Sequence, residues 1–176
     1  EGISRIFGYP GVAISPFLDA LNQDASIEHI LVRQEQAAGH AASGYARVTG
    51  RPAVCVSSSG PGATNLITAL ATAYADSIPL IAVTGQVNSS LLGRDVFQEA
   101  DMRGATESFV KYSYLVRSAD EIPHVFKEAF YIADSGRKGP VLIDIPIDVQ
   151  QQLLKKNFSY PETLNMRGYK PSVKGN

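Results

Sequence analysis

Short runs of apolar residues alternate along this chain with longer segments of helical periodicity. Runs such as Ala53–Val56 and Leu80–Val83 are apolar at every position, which is typical of parallel strands covered on both faces. Strands that alternate with helical crossovers predict an α/β fold, a doubly wound parallel sheet of about six strands with helices on both faces. The predicted strands are Ser4–Gly8, His29–Val32, Ala53–Ser57, Leu80–Thr84, Lys111–Val116 and Val141–Ile145, and the predicted helices are Ile14–Leu21, Gln36–Thr49, Ala63–Tyr74 and Ile122–Asp134.

Two segments depart from this alternation. Residues 87–107 are more polar and less regular, which predicts a long connection with one or two short helical turns, and connections of this kind are usually functional. After Val149 the composition shifts to glutamine, lysine, proline and glycine. We therefore predict that residues 1–149 form one domain and that residues 150–176 form a linker toward a further domain.

Composition narrows the classes of function. A net charge of −1 gives no electrostatic basis for nucleic-acid binding, and no apolar stretch or leader pattern predicts a membrane span or signal peptide. Cys55, the single cysteine, falls in an apolar strand, which indicates a reduced core residue in a cytoplasmic protein. The three histidines are scattered and join no cysteine or acidic cluster, so no metal site is predicted. Small-molecule chemistry is the remaining expectation.

Glu35 stands between a predicted buried strand and a helix built from small residues. A carboxylate at the carboxyl end of a parallel strand is placed for chemistry in the crevice of an open sheet. The same position also suits an acid that only favours the helix dipole, and the segment alone leaves both interpretations open. Ala38 and Ala42 in the helix allow another backbone to approach closely, from this chain or from a second copy.

A glycine-rich segment, Ser57–Asn65, follows the third predicted strand and opens a helix. Its backbone N–H groups favour anions or polar ring atoms, and Gly60 and Gly62 permit close approach. The segment is not a dinucleotide-binding fingerprint, because Asn65 replaces the third glycine and no acid ends the next strand. A plain tight turn before a helix is the alternative.

Seven motifs in order make the chain resemble a known family. Together they resemble the amino-terminal, pyrimidine-binding (PYR) domain of the thiamine diphosphate enzymes, specifically the large subunit of acetolactate synthase (acetohydroxyacid synthase). The motifs are Phe7–Gly11, Glu35–Gln36 with Gly44–Arg47, Ser59–Asn65, Asp76–Leu80, Thr84–Val87, Phe97–Glu99 and Gly139–Val141.

The resemblance implies a catalytic role for Glu35. The family's acid at this position hydrogen-bonds ring nitrogen N1′ of thiamine diphosphate and promotes loss of the C2 proton. The implied reaction decarboxylates pyruvate and condenses it with a second 2-ketoacid, in the biosynthesis of isoleucine and valine. The other positions implied for the cofactor are Tyr9, Pro10, Gly60, Pro61, Gly62, Asn65 and Gln86, with Arg137 at a position that contacts FAD, and those implied on the substrate side are Val12, Phe97 and Gln98.

The resemblance also implies partners. Thiamine diphosphate and FAD are the expected cofactors, and Mg²⁺ is expected in a separate domain that carries a Gly-Asp-Gly motif. That motif is absent from the chain, so we expect a domain fragment that is inactive alone. A cytoplasmic homodimer or homotetramer is expected, with the helix at Gln36–Thr49 against a second subunit and with a possible small regulatory subunit.

Three positions depart from the family pattern. Val12 replaces the second glycine of a Pro-Gly-Gly-Ala motif, Gln34 replaces a histidine, and Ile147 replaces a lysine at the substrate entrance. These departures keep two alternatives open. One is another thiamine diphosphate-dependent 2-ketoacid carboligase or decarboxylase, and the other is a non-catalytic binding domain that retains the fold.

Overall fold

Six parallel strands form one sheet in the computed structural model, which describes residues 1–155 and 157–172. Their spatial order is β2-β1-β3-β4-β6-β5, and each neighbouring pair is parallel. The predicted α/β class and parallel sheet are therefore confirmed. The strands are β1 (Arg5–Gly8), β2 (Glu28–Leu31), β3 (Ala53–Ser57), β4 (Leu80–Gln86), β5 (Tyr112–Leu115) and β6 (Val141–Pro146).

Helices cover both faces of the sheet, which is why three of its four inner strands, β3, β4 and β6, are buried at every position. Leu18 and Phe130 pack on one face, and Ala42 and Leu70 pack on the other. The helices are α1 (Ser15–Asn22), α2 (Glu35–Thr49), α3 (Pro61–Thr64), α4 (Ile67–Ala75), α5 (Met102–Thr106), α6 (Ile122–Asp134) and α7 (Ile147–Gln150).

The predicted helix Ala63–Tyr74 is wrong in one respect, because the structure has two helices there, α3 and α4. The N–H of Leu66 donates to the carbonyl of Ala63 at 3.0 Å, a three-residue spacing that tightens the turn and ends α3. The predicted connection at residues 87–107 is confirmed, since it contains a helical turn at Ser89–Leu91 and then α5.

Helix α2 packs against its own sheet and against α4. Ala38 and Ala42 are fully buried inside the chain. A Cβ added at Gly39 would lie 2.5 Å from Cβ of Ala69 on α4, so the two helix backbones approach closely. The chain itself therefore encloses Ala38 and Ala42, so neither side chain is available to a second subunit. The expectation that the Gln36–Thr49 helix lies against a second subunit stays a prediction.

The segment after Val149 returns to the domain surface at two tyrosines. The hydroxyl of Tyr160 donates to Oε1 of Glu1 at 2.7 Å, and Nζ of Lys111 donates to the hydroxyl of Tyr169 at 2.9 Å. Residues 156 and 173–176 of the predicted linker lie outside the described residues. Among the helices that the structure describes, none has the length and apolar character needed to cross a membrane.

Candidate functional site

The site lies where the winding of the sheet reverses. Strand β1 has β2 on one side and β3 on the other, so the crossovers that follow β1 and β2 run over opposite faces. Such a reversal opens a crevice at the carboxyl ends of the strands, where ligands bind in open α/β sheets. Three segments meet at this edge: residues 9–14 after β1, Glu35 after β2, and residues 58–65 after β3.

Glu35 begins α2 and its carboxylate is held by one partner. Nδ2 of Asn65 donates a hydrogen bond to Oε2 of Glu35 at 2.9 Å. Oε1 of Glu35 accepts no hydrogen bond from the residues that the structure describes, and it lies 3.3 Å from the position that a Cβ on Gly62 would take. Glu35 is half-buried, at the predicted edge of the sheet. One carboxylate oxygen is thus fixed, and the other faces the glycine loop.

Two glycines keep this loop open, for different reasons. Gly60 has φ of +57°, a left-handed conformation that favours glycine, and a Cβ there would lie 2.8–3.0 Å from backbone atoms of Gln98. Gly62 is buried next to Glu35, where a Cβ would press on the carboxylate. Side chains at these positions would displace Gln98 or Glu35.

The backbone of the loop after β1 packs against Ser58 and against Gly85 of β4. The N–H of Ala13 donates to Oγ of Ser58 at 3.3 Å, and a Cβ on Gly11 would overlap the Ser58 side chain. A Cβ on Gly85 of β4 would overlap the carbonyl of Ala13. The sequence interpretation gave Ser58 no such role, and its only signal was its position directly after β3.

Val12 projects from this seated loop with 78% of its surface exposed. The backbone on either side is fixed at Gly11 and Ala13, so the valine adds an apolar side chain to the rim of the crevice. Tyr9 and Pro10 are also exposed on this loop.

Phe97 and Gln98 reach the same site from the long connection. Gln98 adopts a left-handed backbone with φ of +61°, next to Gly60. Phe97 is 88% exposed. The structure thus brings this segment, predicted to lie on the substrate side, to the loop that carries Gly60 and Gly62.

Comparison with known proteins gives the family. The profile of the family described as "Thiamine pyrophosphate enzyme, N-terminal TPP binding domain" matches residues 1–105. The chain belongs to this family. The matched span contains Glu35, the glycine loop and the Phe97–Gln98 segment.

Relatives within the thiamine pyrophosphate enzymes cover nearly the whole chain. The acetolactate synthase large subunit of Buchnera aphidicola subsp. Schizaphis graminum is 53% identical over 99% of the chain and 31% of its own length. The acetolactate synthase of Mycobacterium bovis is 56% identical over 98% of the chain and 28% of its own length. For the acetolactate synthase isozyme 3 large subunit of Escherichia coli K12 the identity is 50%, over 99% of the chain and 30% of that subunit. The chain spans about three tenths of the length of these curated relatives.

Gln86 is buried beside an acid that the sequence interpretation missed. Its Nε2 donates to Oδ2 of Asp144 at 3.0 Å and to the carbonyl of Ala100 at 2.8 Å. Burial, with a smaller contribution from the charge of Asp101, raises the pKa of Asp144 to about 7 against the opposing effect of hydrogen bonds from Thr84 and Gln86. The available signal was a lone acid inside the otherwise apolar strand β6.

Arg137 lies at the amino ends of the strands, just before β6 begins, whereas Glu35 lies at their carboxyl ends. Its Nε donates to Oγ of Ser77 at 2.9 Å, and its Nη2 donates to the carbonyl of Tyr74 at 3.2 Å. The structure does not bring Arg137 together with Glu35. Across residues 1–155 and 157–172, no cluster of three or more His, Cys, Asp or Glu side chains is arranged to hold a metal ion.

Proposed function

We propose that this chain is the part of an acetolactate synthase large subunit that binds the aminopyrimidine ring of thiamine diphosphate. In this proposal the complete subunit decarboxylates pyruvate and condenses the remaining two-carbon unit with a second 2-ketoacid. The family assignment and relatives of 50–56% identity support it. The observation that carries it is the Glu35 carboxylate, anchored by Asn65 and directed at a glycine loop.

The donor set around Glu35 fits an aminopyrimidine ring. A flat ring that accepts a hydrogen bond at one nitrogen needs a protonated partner and a surface without side chains. Oε1 of Glu35 is the oxygen that Asn65 leaves unbonded, and Gly62 leaves beside it the space that a Cβ would fill. Tyr9, Pro10 and Pro61 add ring surfaces at the same edge of the sheet.

Each group has a defined task in this proposal. Glu35 holds a proton at Oε1 and shares it with the ring nitrogen, while Asn65 keeps the carboxylate from rotating. The Gly60–Gly62 backbone lies against the ring. Gln86 does not touch the ring in this proposal but stabilises the site through its hydrogen bonds to Asp144 and Ala100. Bound thiamine diphosphate supplies the electron sink for decarboxylation, which no side chain supplies.

Other partners belong to the complete subunit. We propose FAD as a second cofactor at Arg137, which would place it at the far edge of the sheet from Glu35. Mg²⁺ would bind the diphosphate through residues of another domain, so the 176-residue chain alone would be inactive. A cytoplasmic homodimer or homotetramer, with or without a small regulatory subunit, completes the proposal for isoleucine and valine biosynthesis.

A second candidate is another thiamine diphosphate-dependent carboligase or decarboxylase acting on 2-ketoacids. The exposed Val12 side chain favours it, because it adds an apolar group at the rim of the crevice. Ile147, half-buried at the start of α7, likewise provides no positive charge for a substrate carboxylate.

Turnover of pyruvate by the full-length subunit tests the function. Glu35→Gln should lower acetolactate formation roughly 100-fold or more while calorimetry shows retained cofactor binding, since the variant loses an acid–base partner but keeps its size. Glu28→Gln is the matched control, because this acid on β2 pairs with Arg5 at the surface. Carbon dioxide release without acetolactate would indicate a decarboxylase. A wild-type subunit that binds the cofactor without any turnover would indicate a non-catalytic domain.

A further inference from the structure

Asp144 is a buried acid for which the proposed reaction has no chemical task. It lies on β6, between β4 and the edge strand β5, directly opposite Thr84 on β4 and Leu115 on β5. It is 2% exposed and forms no ion pair among the residues that the structure describes. A carboxylate in such a place is costly, so its retention needs a reason other than stability.

Two side chains from β4 bind the two oxygens of Asp144. Oγ1 of Thr84 donates to Oδ1 at 2.6 Å, and Nε2 of Gln86 donates to Oδ2 at 3.0 Å. Both donors are buried. Of the two donors, Gln86 is the one that also forms a hydrogen bond to the long connection outside the core.

The second hydrogen of the Gln86 amide reaches the long connection. Nε2 of Gln86 donates to the carbonyl of Ala100 at 2.8 Å, and Oε1 of Gln86 accepts from the N–H of Val87 at 2.9 Å. All hydrogen-bonding atoms of this amide are therefore engaged, and its orientation is fixed at both ends. Asp144, Gln86 and Ala100 form a continuous link from the core to the connection.

The connection needs such an anchor at Ala100 because the residues before it are exposed and strained. Phe97 is exposed, and Gln98 holds a left-handed backbone that non-glycine residues seldom adopt. Glu99 closes the preceding turn, accepting from the N–H of Val96 at 3.2 Å and from the N–H of Gly93. The backbone of Gln98 then lies on Gly60.

We infer that Asp144 is a positioning residue: through the Gln86 amide it fixes Ala100 and thereby holds Phe97 and Gln98 against the glycine loop. The inference rests on the proposed function only where Phe97 and Gln98 are placed on the substrate side. The charged groups that share the cavity of about 300 Å³ beside Asp144 are Glu99, Asp101 and Arg103, all from the connection and α5. The long connection that Asp144 positions is therefore also the segment that lines this cavity.

Three variants separate positioning from stability in the full-length subunit. Asp144→Leu keeps the volume and removes the acceptor for Gln86, so KM for pyruvate should rise about tenfold, and stability should fall because the buried donors of Thr84 and Gln86 lose their partner. Asp144→Asn keeps an acceptor for Gln86, and its KM should stay within about threefold of wild type. Thr84→Val is the control, since it removes a buried hydrogen bond to Asp144 but leaves the link to Ala100, and should lower stability without raising KM.

Hydrogen–deuterium exchange gives a second readout that does not depend on turnover. Amides in a peptide covering residues 93–101 should exchange at least about fivefold faster in Asp144→Leu than in wild type or Thr84→Val. Gln86→Met removes the same link between Asp144 and Ala100, and it replaces Asp144→Leu in this comparison if that variant does not fold.

The inference is overturned if exchange and KM in these variants match wild type, or if Thr84→Val changes them equally. Absence of any turnover in the wild-type subunit would instead refute the proposed function, and the exchange comparison would still decide the role of Asp144.

Discussion

In the part of the chain that the structure describes, the Glu35 carboxylate is held by one side chain, that of Asn65. The hydrogen bond from Asn65 orients the carboxylate and occupies one of its oxygens, while the other stays beside Gly62. A first-turn acid that only favoured the helix dipole would not need a partner from a different loop. The arrangement therefore favours the catalytic interpretation of Glu35.

Removing this partner should weaken catalysis without removing the cofactor. In the full-length subunit, Asn65→Ala frees the Glu35 carboxyl group to rotate, and such a hydrogen bond is worth up to about 1.5 kcal/mol. We expect kcat to fall roughly tenfold. Thr64→Ala is the neighbouring control, because among the described residues its hydroxyl bonds only to the carbonyl of Pro61. Equal rates in the two variants would show that Asn65 does not orient Glu35.

Among the helices and strands, the sequence predicted those whose position depends on the local order of apolar, polar and glycine residues. Strand β3 was found because four of its residues in a row are apolar, and β6 because a single acid interrupts an otherwise apolar run. Helix α2 is followed by Gly50 in a left-handed conformation, as a C-terminal glycine predicts. The break between α3 and α4 was not found, since it depends on the backbone geometry at Leu66. The small residues of α2 left two interpretations open, and the packing of Gly39 against Ala69 shows close approach within the chain, while a contact of α2 with a second subunit stays a prediction.

That packing predicts opposite effects for two glycines of α2. Gly39→Ala should destabilise the chain by about 1–3 kcal/mol, because its Cβ would meet Ala69 on α4. Gly44→Ala should stabilise it by about 0.5–1 kcal/mol, since a Cβ there meets no described atom within 4 Å and alanine is the better helix former. Urea denaturation of the chain measures both. A stabilising Gly39→Ala would mean that α2 and α4 do not pack closely.

At the scale of the whole molecule, the parallel topology assembles a site from residues far apart in sequence. The carboxyl ends of β1, β2 and β3 share one edge, so Glu35 and Gly60 could be predicted to lie near each other. Asp144 could not, because its role depends on register with Thr84 and on the path of the connection over the sheet. Arg137 falls at the other edge, which follows from its position before β6.

The buried Asp144 also makes the stability of the whole chain depend on pH. Burial raises its pKa to about 7, above the value of about 3.9 for an exposed aspartate. The folded chain therefore binds more protons than the unfolded chain between these values, so the stabilising contribution of this group is complete below about pH 4 and is lost as pH rises toward about 7.

Asp144→Asn should remove this dependence. Urea denaturation at about pH 4.5, 6 and 8 should show a free energy of unfolding that gains on wild type as pH rises. Taking the difference between the two proteins cancels the contributions of other acids, such as Glu99 and Asp148, whose pKa values are lowered by hydrogen bonds. A difference that is constant with pH would mean that Asp144 does not titrate in this range.

In the proposed reaction Glu35 acts on the cofactor itself, before any ketoacid binds. Deuterium exchange at C2 of thiamine diphosphate, followed by NMR on the full-length subunit, tests that step without substrate. Glu35→Gln should slow the exchange roughly 100-fold or more relative to wild type, with Glu28→Gln unchanged. Exchange near the wild-type rate in Glu35→Gln would show that Glu35 takes no part in this step and is an acid that only favours the start of α2.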